Sequence, residues 1–465
     1  MIMQRPWPAA FLQRMSSKLG TDYTRFLDAL ETPSPVSIRI NDAKLQVQDI
    51  SSRERVPWCD TGYYLPQRPL FTADPLLHAG AYYVQEAGSM FIEQAIIQYA
   101  GNASGLKVLD LCAAPGGKST HLLNLLPEDS LLVSNEVIKS RAQILKENIT
   151  KWGKPNVIIT SNDPRDFNRL PGFFDIILVD APCSGEGLFR RDPEAANEWS
   201  EENVKLCSLR QQRILHDIWP SLKAGGLLVY STCTYEDDEN EGLISVFIRD
   251  KGATSLPLRT EAAWNIHETF HESVNGYRFY PHQTRSEGFF CTILQKHDNS
   301  ESSTRFKQVK PALVSKHAET QLNKWLQDGN NWRFIQNGNL VNAIPEQHYG
   351  TYSTVAAALH VVAYGCQLAE LIRDKVQPLH ELALSISRCK NAFYETALSH
   401  SEAIRYLRRD DLRLPPDTPQ GIVLITYKGI ALGFGKWLGN RFNNYYPKEW
   451  RILKQIQDEE LFSFS

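Results

Sequence analysis

No run of about eighteen apolar residues occurs anywhere in the 465-residue chain, so a membrane-spanning helix is excluded. No N-terminal stretch joins a basic flank to an apolar core, because Pro6, Pro8, Gln13 and Arg14 interrupt it, and a signal peptide is not expected. The cysteines (Cys59, Cys112, Cys183, Cys207, Cys233, Cys291, Cys366 and Cys389) are scattered and never form CxxC spacing. Neither a disulfide framework nor a zinc site is therefore suggested, and no metal is expected. A large excess of either charge is missing too: 50 Lys and Arg face 53 Asp and Glu, for a net charge of −3. Any nucleic-acid surface must then be a local patch. Internal repeats and low-complexity tracts are absent. These absences leave a cytoplasmic protein of two or three domains, with enough apolar residues for a sizeable core.

What is present changes character along the chain. Residues 1–72 are a mixed opening segment, in which "FLQRMSSKLG" has helical apolar spacing and "PVSIRIN" is a short β-like run. From about 73 to 297 a helical "EAGSMFIEQAIIQYA" is followed by apolar runs alternating with amphipathic segments: "LKVLDL", "SLLVSNE", "NVIIT", "FDIILVD" and "GGLLVYST". That alternation predicts βαβ units and a mostly parallel, doubly wound α/β sheet. The polar stretch "HDNSESSTRFKQ" marks a linker over 298–312. Two small α+β units are expected beyond it, 313–365 and 366–465, with β-like "WRFIQNGNLV" and "GIVLITYKGIALGFG" around a helical "CQLAELIRDK".

"KVLDLCAAPGGKST" reads as strand, glycine turn and helix, with Asp110 at the strand end and Gly116 and Gly117 letting backbone approach a ligand. A Walker A loop would need glycine where Cys112 stands, and no GxGxxG occurs. The general nucleotide crevice of a doubly wound sheet remains. Glu136, about twenty residues on, suits ribose hydroxyls. Asp163 after "NVIIT" suits an adenine amino group, and Asp180 closes "IILVD". Four acids at four strand ends favour a neutral or cationic nucleoside over a polyphosphate, and S-adenosylmethionine with its sulfonium fits. Taken singly, each carboxylate could equally cap the helix that follows it.

Two further strand ends carry cysteines, Cys183 in "DAPCSGEG" and Cys233 in "YSTCTYEDDENE". Cytosine C5 is too weak a nucleophile to accept a methyl group directly. A thiolate adding to C6 makes an enamine whose C5 can attack a sulfonium methyl, after which elimination releases 5-methylcytosine. Both cysteines occupy strand-to-helix turns, where partial positive charge favours the thiolate. Cys59, Cys207, Cys291, Cys366 and Cys389 read instead as small buried hydrophobes. The acidic run Glu236–Glu241 reads as the first turn of a helix, favoured by its dipole.

"DLCAAPGGKS", "DAPCSGEG" and "YSTCT…ENE", in this order, resemble the RNA 5-methylcytosine methyltransferases of the Nol1/Nop2/Sun family. "YYVQEAGSM" and "SIRIN" resemble upstream segments of the same family. The resemblance implies a Rossmann-like class I fold. It implies that Cys233 is the nucleophile and that Cys183 assists product release. DNA 5-methylcytosine methyltransferases instead use the cysteine of a "PC" motif, which would make Cys183 the attacker and leave "TCT" superfluous. Cofactor contacts would run over Cys112, Ala113, Ala114, Pro115, Gly116, Gly117 and Lys118, then Glu136, Asp163 and Asp180. Asp180 would face either the cofactor or the target base, and Lys118 either a carboxylate or RNA.

In 428–454, Lys428, Lys436, Arg441, Lys448, Arg451 and Lys454 alternate with Phe434, Trp437, Phe442, Tyr445, Tyr446 and Trp450. Cations for phosphates and aromatic faces for unstacked bases suggest an RNA surface, and an ordinary core with a basic rim is the competing reading. "ITYKGIALGFGKWLGNRFNNYYPKEWR" resembles the C-terminal PUA-like RNA-binding domain of bacterial 16S rRNA methyltransferases of the small-subunit methyltransferase F type. That resemblance implies a 16S rRNA substrate in the small ribosomal subunit, with cytosine 1407 of the decoding region or a neighbour as target. A tRNA, another rRNA site, or a non-catalytic assembly role are the alternatives, and a monomer is expected.

Overall fold

The computed structural model describes residues 7–45, 53–297, 305–328, 331–373 and 375–456. Of the linker read over 298–312, residues 298–304 lie outside that set. Among the described residues no helix is long and apolar enough to cross a membrane.

The five apolar runs become five parallel strands. In spatial order they are Val157–Thr160, Leu131–Asn135, Lys107–Asp110, Phe174–Asp180 and Leu222–Thr232. Each is buried on both faces, because side chains alternate across a sheet covered by helices on both sides. Val108, Leu132, Ile176, Leu178 and Val229 join one hydrophobic cluster, while Leu109, Val133, Ile177, Val179, Leu228 and Tyr230 join the other. Antiparallel strands extend the sheet beyond Leu222–Thr232: Phe289–Gln295, Val274–Phe279 and His267–His271. The chain starts at the central strand Lys107–Asp110, winds outward to Val157–Thr160, then crosses back to Phe174–Asp180. The switch point so created opens a crevice at the carboxyl ends of the strands.

Three appendages surround this core. The N-terminal segment forms the helices Ala9–Leu19 and Tyr23–Leu30 and a three-stranded sheet of Val36–Ile40, Gly62–Leu65 and Tyr82–Val84. Phe11 and Phe26 from the two helices are fully buried against Phe189, Trp199, Tyr235 and Tyr280. Each such phenyl ring contributes about 2–3 kcal/mol of burial, so the helices belong to the folded core. Arg39, wholly buried, donates to Gln85 Oε1 at 2.9 Å and Thr120 Oγ1 at 2.5 Å and lies 4.5 Å from the Trp152 ring centroid. It ties the small sheet to the helix that follows the glycine turn.

Beyond 305, the strands Trp332–Asn337, Leu340–Pro345, Cys366–Ile372 and Lys375–Pro378 form one sheet, so residues on both sides of position 365 share it. Val361–Tyr364 leaves that unit and pairs antiparallel with Val157–Thr160 at the edge of the large sheet. The expected helix "CQLAELIRDK" is corrected to the strand Cys366–Ile372. Its Leu, Ala and Glu content favours a helix locally. Gly365 at φ 58° and Arg373 at φ 54° instead turn the chain at both ends, and Leu368 and Ala369 are buried between two neighbouring strands. Tertiary packing overrides propensity here. The last unit is a sheet of Tyr394–Ala397, Gly421–Tyr427, Ile430–Trp437 and Phe442–Asn444 with the helix His400–Arg408.

Candidate active site

Strand register delivers the site. Asp180 pairs with Ser231 across neighbouring parallel strands, so the loops that continue from them start side by side. Cys183 lies three residues past one partner and Cys233 two past the other. Their sulfurs are 3.3 Å apart, and the Cys233 backbone N–H points at Cys183 Sγ, also at 3.3 Å. The Cys233 thiol and then burial push the Cys183 thiol well up. Lys118 Nζ meets Asp180 Oδ2 at 2.8 Å, and Ser231 Oγ donates to Asp180 Oδ1 at 2.8 Å. Burial works against the Lys118 charge, yet Asp180 holds that ammonium above the ordinary lysine value. Lys118 is thus a largely buried partner of a carboxylate at the catalytic end of the sheet.

Two carboxylates absent from the sequence-based site hold the cysteine loops together. Glu186 accepts from Thr234 Oγ1 at 3.1 Å, Tyr235 N at 3.0 Å and Trp199 Nε1 at 2.9 Å. Burial and then the neighbouring Glu236 push the Glu186 carboxyl well above the usual carboxylate range. Glu239 accepts from Ser184 N at 3.0 Å and Gln211 Nε2 at 2.8 Å. Each spans the two loops. Both stand inside the motifs quoted above, but nothing in their spacing separates a loop brace from a surface acid. The acidic run therefore differs from expectation: the helix begins only at Glu241, after a 3₁₀ turn Asp237–Glu239, and tertiary partners rather than a dipole hold its carboxylates.

The glycine turn lies across the crevice. Ala113 and Ala114 are buried, Cys112 is half-buried, and burial pushes the Cys112 thiol up. Arg141 Nη2 donates to the Ala114 carbonyl at 2.8 Å, and Asn148 Nδ2 to that of Pro115 at 2.8 Å. Gly116, at φ 117°, caps the helix Gly117–Leu125 in a conformation that a side chain would strain. Glu136 accepts from Ile138 N at 2.9 Å and faces Arg141 at 3.4 Å. Asp163 is gripped by Arg213, with both oxygens 3.2–3.3 Å from its guanidinium. No sequence signal marked Arg213 or Arg141. An open glycine turn ringed by Glu136, Asp163 and Asp180 fits a cationic nucleoside.

Asp110 does not join that ring. It is fully buried, accepts from Ser119 Oγ at 2.7 Å, and leaves Oδ1 without a partner. Burial raises its pKa to about 7, far above the ordinary carboxylate value of about 3.9. With the folded value the higher one, its contribution to stability is complete below about pH 4 and is lost as pH rises to about 7. Asp110→Asn should therefore gain thermal stability relative to the native chain as pH rises from 5 to 8. A stability difference independent of pH would refute this.

Cys59 departs from the hydrophobe expected. Its thiol donates to Glu93 Oε2 at 3.1 Å, and the same oxygen is 2.7 Å from His121 Nε2. Burial lowers the His121 pKa to about 4, so the imidazole is neutral. Among the described residues this is the one group of Cys, His and carboxylate ligand atoms close enough to hold a metal ion. Its donors already converge on one carboxylate oxygen.

At the C-terminal end the cations and aromatics separate. Lys428, Lys436, Arg441, Lys448, Arg451 and Lys454 are exposed, whereas Phe434, Trp437 and Tyr446 are buried. Those three rings are core, not stacking platforms, and the competing reading of a core with a basic rim describes them. Phe442, Tyr445 and Trp450 are half-buried.

Comparison with known proteins agrees with this architecture. Residues 101–295 match the family described as 16S rRNA methyltransferase RsmB/F, 7–87 the N-terminal domain of 16S rRNA methyltransferase RsmF, and 393–452 the methyltransferase RsmF PUA domain. Relatives named ribosomal RNA small subunit methyltransferase F include those of Aliivibrio salmonicida, 31% identical, and Aliivibrio fischeri strain MJ11, 32% identical. Each covers 98% of both chains. A methyltransferase homologue from Pyrococcus horikoshii superposes with TM-score 0.55 at 29% identity, over 63% of this chain and 97% of that one. NSun6 from the same organism superposes with TM-score 0.54 at 20% identity, over 63% of this chain and all of that one, which shows the fold alone. The core is a class I S-adenosylmethionine-dependent methyltransferase fold with a PUA domain at its C-terminal end. The chain belongs to the ribosomal RNA small subunit methyltransferase F family.

Proposed function

We propose that the protein methylates C5 of a cytosine in the decoding region of 16S rRNA, cytosine 1407 or a neighbour, within the small ribosomal subunit. One observation carries the reading: two thiols 3.3 Å apart at the ends of adjacent parallel strands, beside the Lys118–Asp180 pair. Ordinary methyl transfer to oxygen or nitrogen needs neither thiol. Bound S-adenosylmethionine supplies an electrophilic methyl group. Cys112 to Lys118, Glu136, Asp163 and Asp180 are the residues proposed to hold it.

Cys233 is the attacking group in this reading. The Cys183 thiol lies within hydrogen-bond reach of Cys233 Sγ and is pushed well up by that neighbour and by burial, which suits it to the partner's part and not to the attack. Addition of Cys233 to C6 gives C5 the enamine character that a methyl acceptor requires. Asp180, braced by Lys118 and Ser231, is the residue proposed to accept a hydrogen bond from a protonated cytosine N3, which would draw charge from the ring during attack. Cys183 then acts in release, when a water molecule or side-chain base takes the C5 proton, the C5–H electron pair re-forms the C5=C6 double bond, and Cys233 leaves C6 as the thiolate.

The division into domains belongs to the same proposal, with the boundaries expected at 72/73 and 365/366 moved by the sheets that cross them: the N-terminal extension runs through Tyr82–Val84, the catalytic domain follows to 297, the linker covers 298–312, and the small α+β unit runs to Pro378 before the PUA-like region. So do a cytoplasmic location and a monomeric state. Pulling a base out of stacked RNA costs a few kcal/mol, and the exposed cations of 428–454 support backbone contacts that offset it. The test is nucleoside mass spectrometry of small subunits that lack the modification, after incubation with the protein and S-adenosylmethionine. Roughly one 5-methylcytidine per 16S rRNA is expected, mapped to the decoding region. A methyl group on another base, or methylation of tRNA alone, would overturn the assignment.

A further inference from the structure

The N-terminal helix Ala9–Leu19 touches the loop that carries Cys233. Arg14 Nη1 pairs with Glu236 Oε2 at 2.7 Å, and its other terminal nitrogen reaches Glu201 at 2.8 Å. One turn later, Lys18 Nζ pairs with Asp237 Oδ1 at 2.8 Å and donates to the Tyr235 carbonyl. That carbonyl also accepts from Arg278 Nη1 at 2.8 Å. Below these charges Phe26 meets the Tyr235 ring edge-on, at 5.3 Å between centroids. The loop is thus held from outside by two cations of the N-terminal helix. From inside it is held by Glu186, which accepts from the Tyr235 N–H. Glu236 and Lys18 are both largely shielded from solvent (side-chain exposure 10% and 20%), while Asp237 at 66% is open to it, so each pair has one partner that water screens little.

We propose that Arg14 and Lys18 are positioning residues for Cys233: the N-terminal helix completes the catalytic loop from outside the methyltransferase domain. This rests on the reading of Cys233 as nucleophile. The chain of contacts is short. Lys18 holds the carbonyl two residues after Cys233, and Arg14 holds the side chain of the next residue. Arg14 pairs with Glu236, whose carboxylate bears on Glu186, and Arg278 pairs with Asp237 and Glu241. An RNA that engages the N-terminal extension would then bear on the sulfur's position and not only on docking. A displacement of about 1 Å at a nucleophile can cost on the order of 100-fold in rate.

The test uses the full chain with Arg14→Met and Lys18→Met, singly and together, because methionine keeps an apolar stem and removes the charge. In steady-state methylation of small subunits, the double variant should lose about 10- to 100-fold in kcat, with KM for S-adenosylmethionine unchanged. Lys18→Arg and Arg14→Lys should restore most of it. In parallel, iodoacetamide alkylation of Cys233, followed by peptide mass spectrometry across pH, should run severalfold faster in the double variant with an altered pH profile. An unchanged kcat, with or without a raised KM for RNA, would overturn the proposal and leave the helix a docking surface. If the native chain methylates no cytosine, the proposed reaction fails instead, and the alkylation profile alone decides whether the helix sets the state of Cys233.

Discussion

Cys183→Ala, incubated with S-adenosylmethionine and small ribosomal subunits, is expected to accumulate a protein–RNA adduct that survives a denaturing gel, whereas Cys233→Ala forms none. The two sulfurs sit 3.3 Å apart, so proximity alone does not assign their roles. Their surroundings are what favours Cys233 as the attacking group in the proposed reaction. The Cys183 thiol is pushed up by Cys233 and by burial and also receives the Cys233 N–H, so it is spent as a local partner. With Cys183 removed, Cys233 still reaches C6, but the group that assists release is gone and the adduct persists. With Cys233 removed, no C6–S bond forms, and methylation should fall by at least about a thousandfold, the scale on which nucleophile deletions act. An adduct trapped by Cys233→Ala would reverse the roles. Sequencing the trapped RNA would name the target in the same experiment.

Gly187→Ala should be nearly as damaging, although glycine to alanine is the smallest of substitutions. Gly187 donates its N–H to the Cys233 carbonyl at 2.8 Å. A Cβ there would lie 2.4 Å from the Gly288 carbonyl oxygen and 2.8 Å from that of Cys233. Both obstacles are backbone, so no flexible side chain can swing aside. The neighbouring strand or the Cys233 loop has to move. Overpacking of this kind costs about 3 kcal/mol, and displacing the nucleophile costs about 100-fold in kcat. Thermal unfolding and methylation rate should therefore fall together. A variant with native melting temperature and native rate would show that the two loops have slack, which would also weaken the case for the brace formed by Glu186 and Glu239.

Much of the sheet that positions the candidate site was legible in the sequence. The runs ending in Asp110, Glu136, Asp163 and Asp180 read as strands feeding one crevice, and five parallel strands lie there. What could not be read was which way each acid faces. Asp110 turns inward to Ser119 and Glu136 lies beside Arg141, while Asp163 is held by Arg213, fifty residues on and on another helix. The interleaved aromatics of 428–454 were legible as a pattern but not as a role, since strand alternation sends Trp437 inward and its neighbour Lys436 outward. "CQLAELIRDK" misleads for the opposite reason: its composition is helical, and only the strands on either side make it extended.

The sequence by itself determined the chemistry available, namely an open glycine turn, acids at strand ends and two cysteines in strand-to-helix turns. Local pattern encodes these because strands, turns and caps are set by neighbours along the chain. Only the tertiary structure decided which groups meet: that Cys183 and Cys233 touch, that Lys118 belongs to Asp180, and that the N-terminal helix grips the loop of Cys233 from more than 200 residues away. Those pairings depend on strand order and register, which bring together residues that share no local signal.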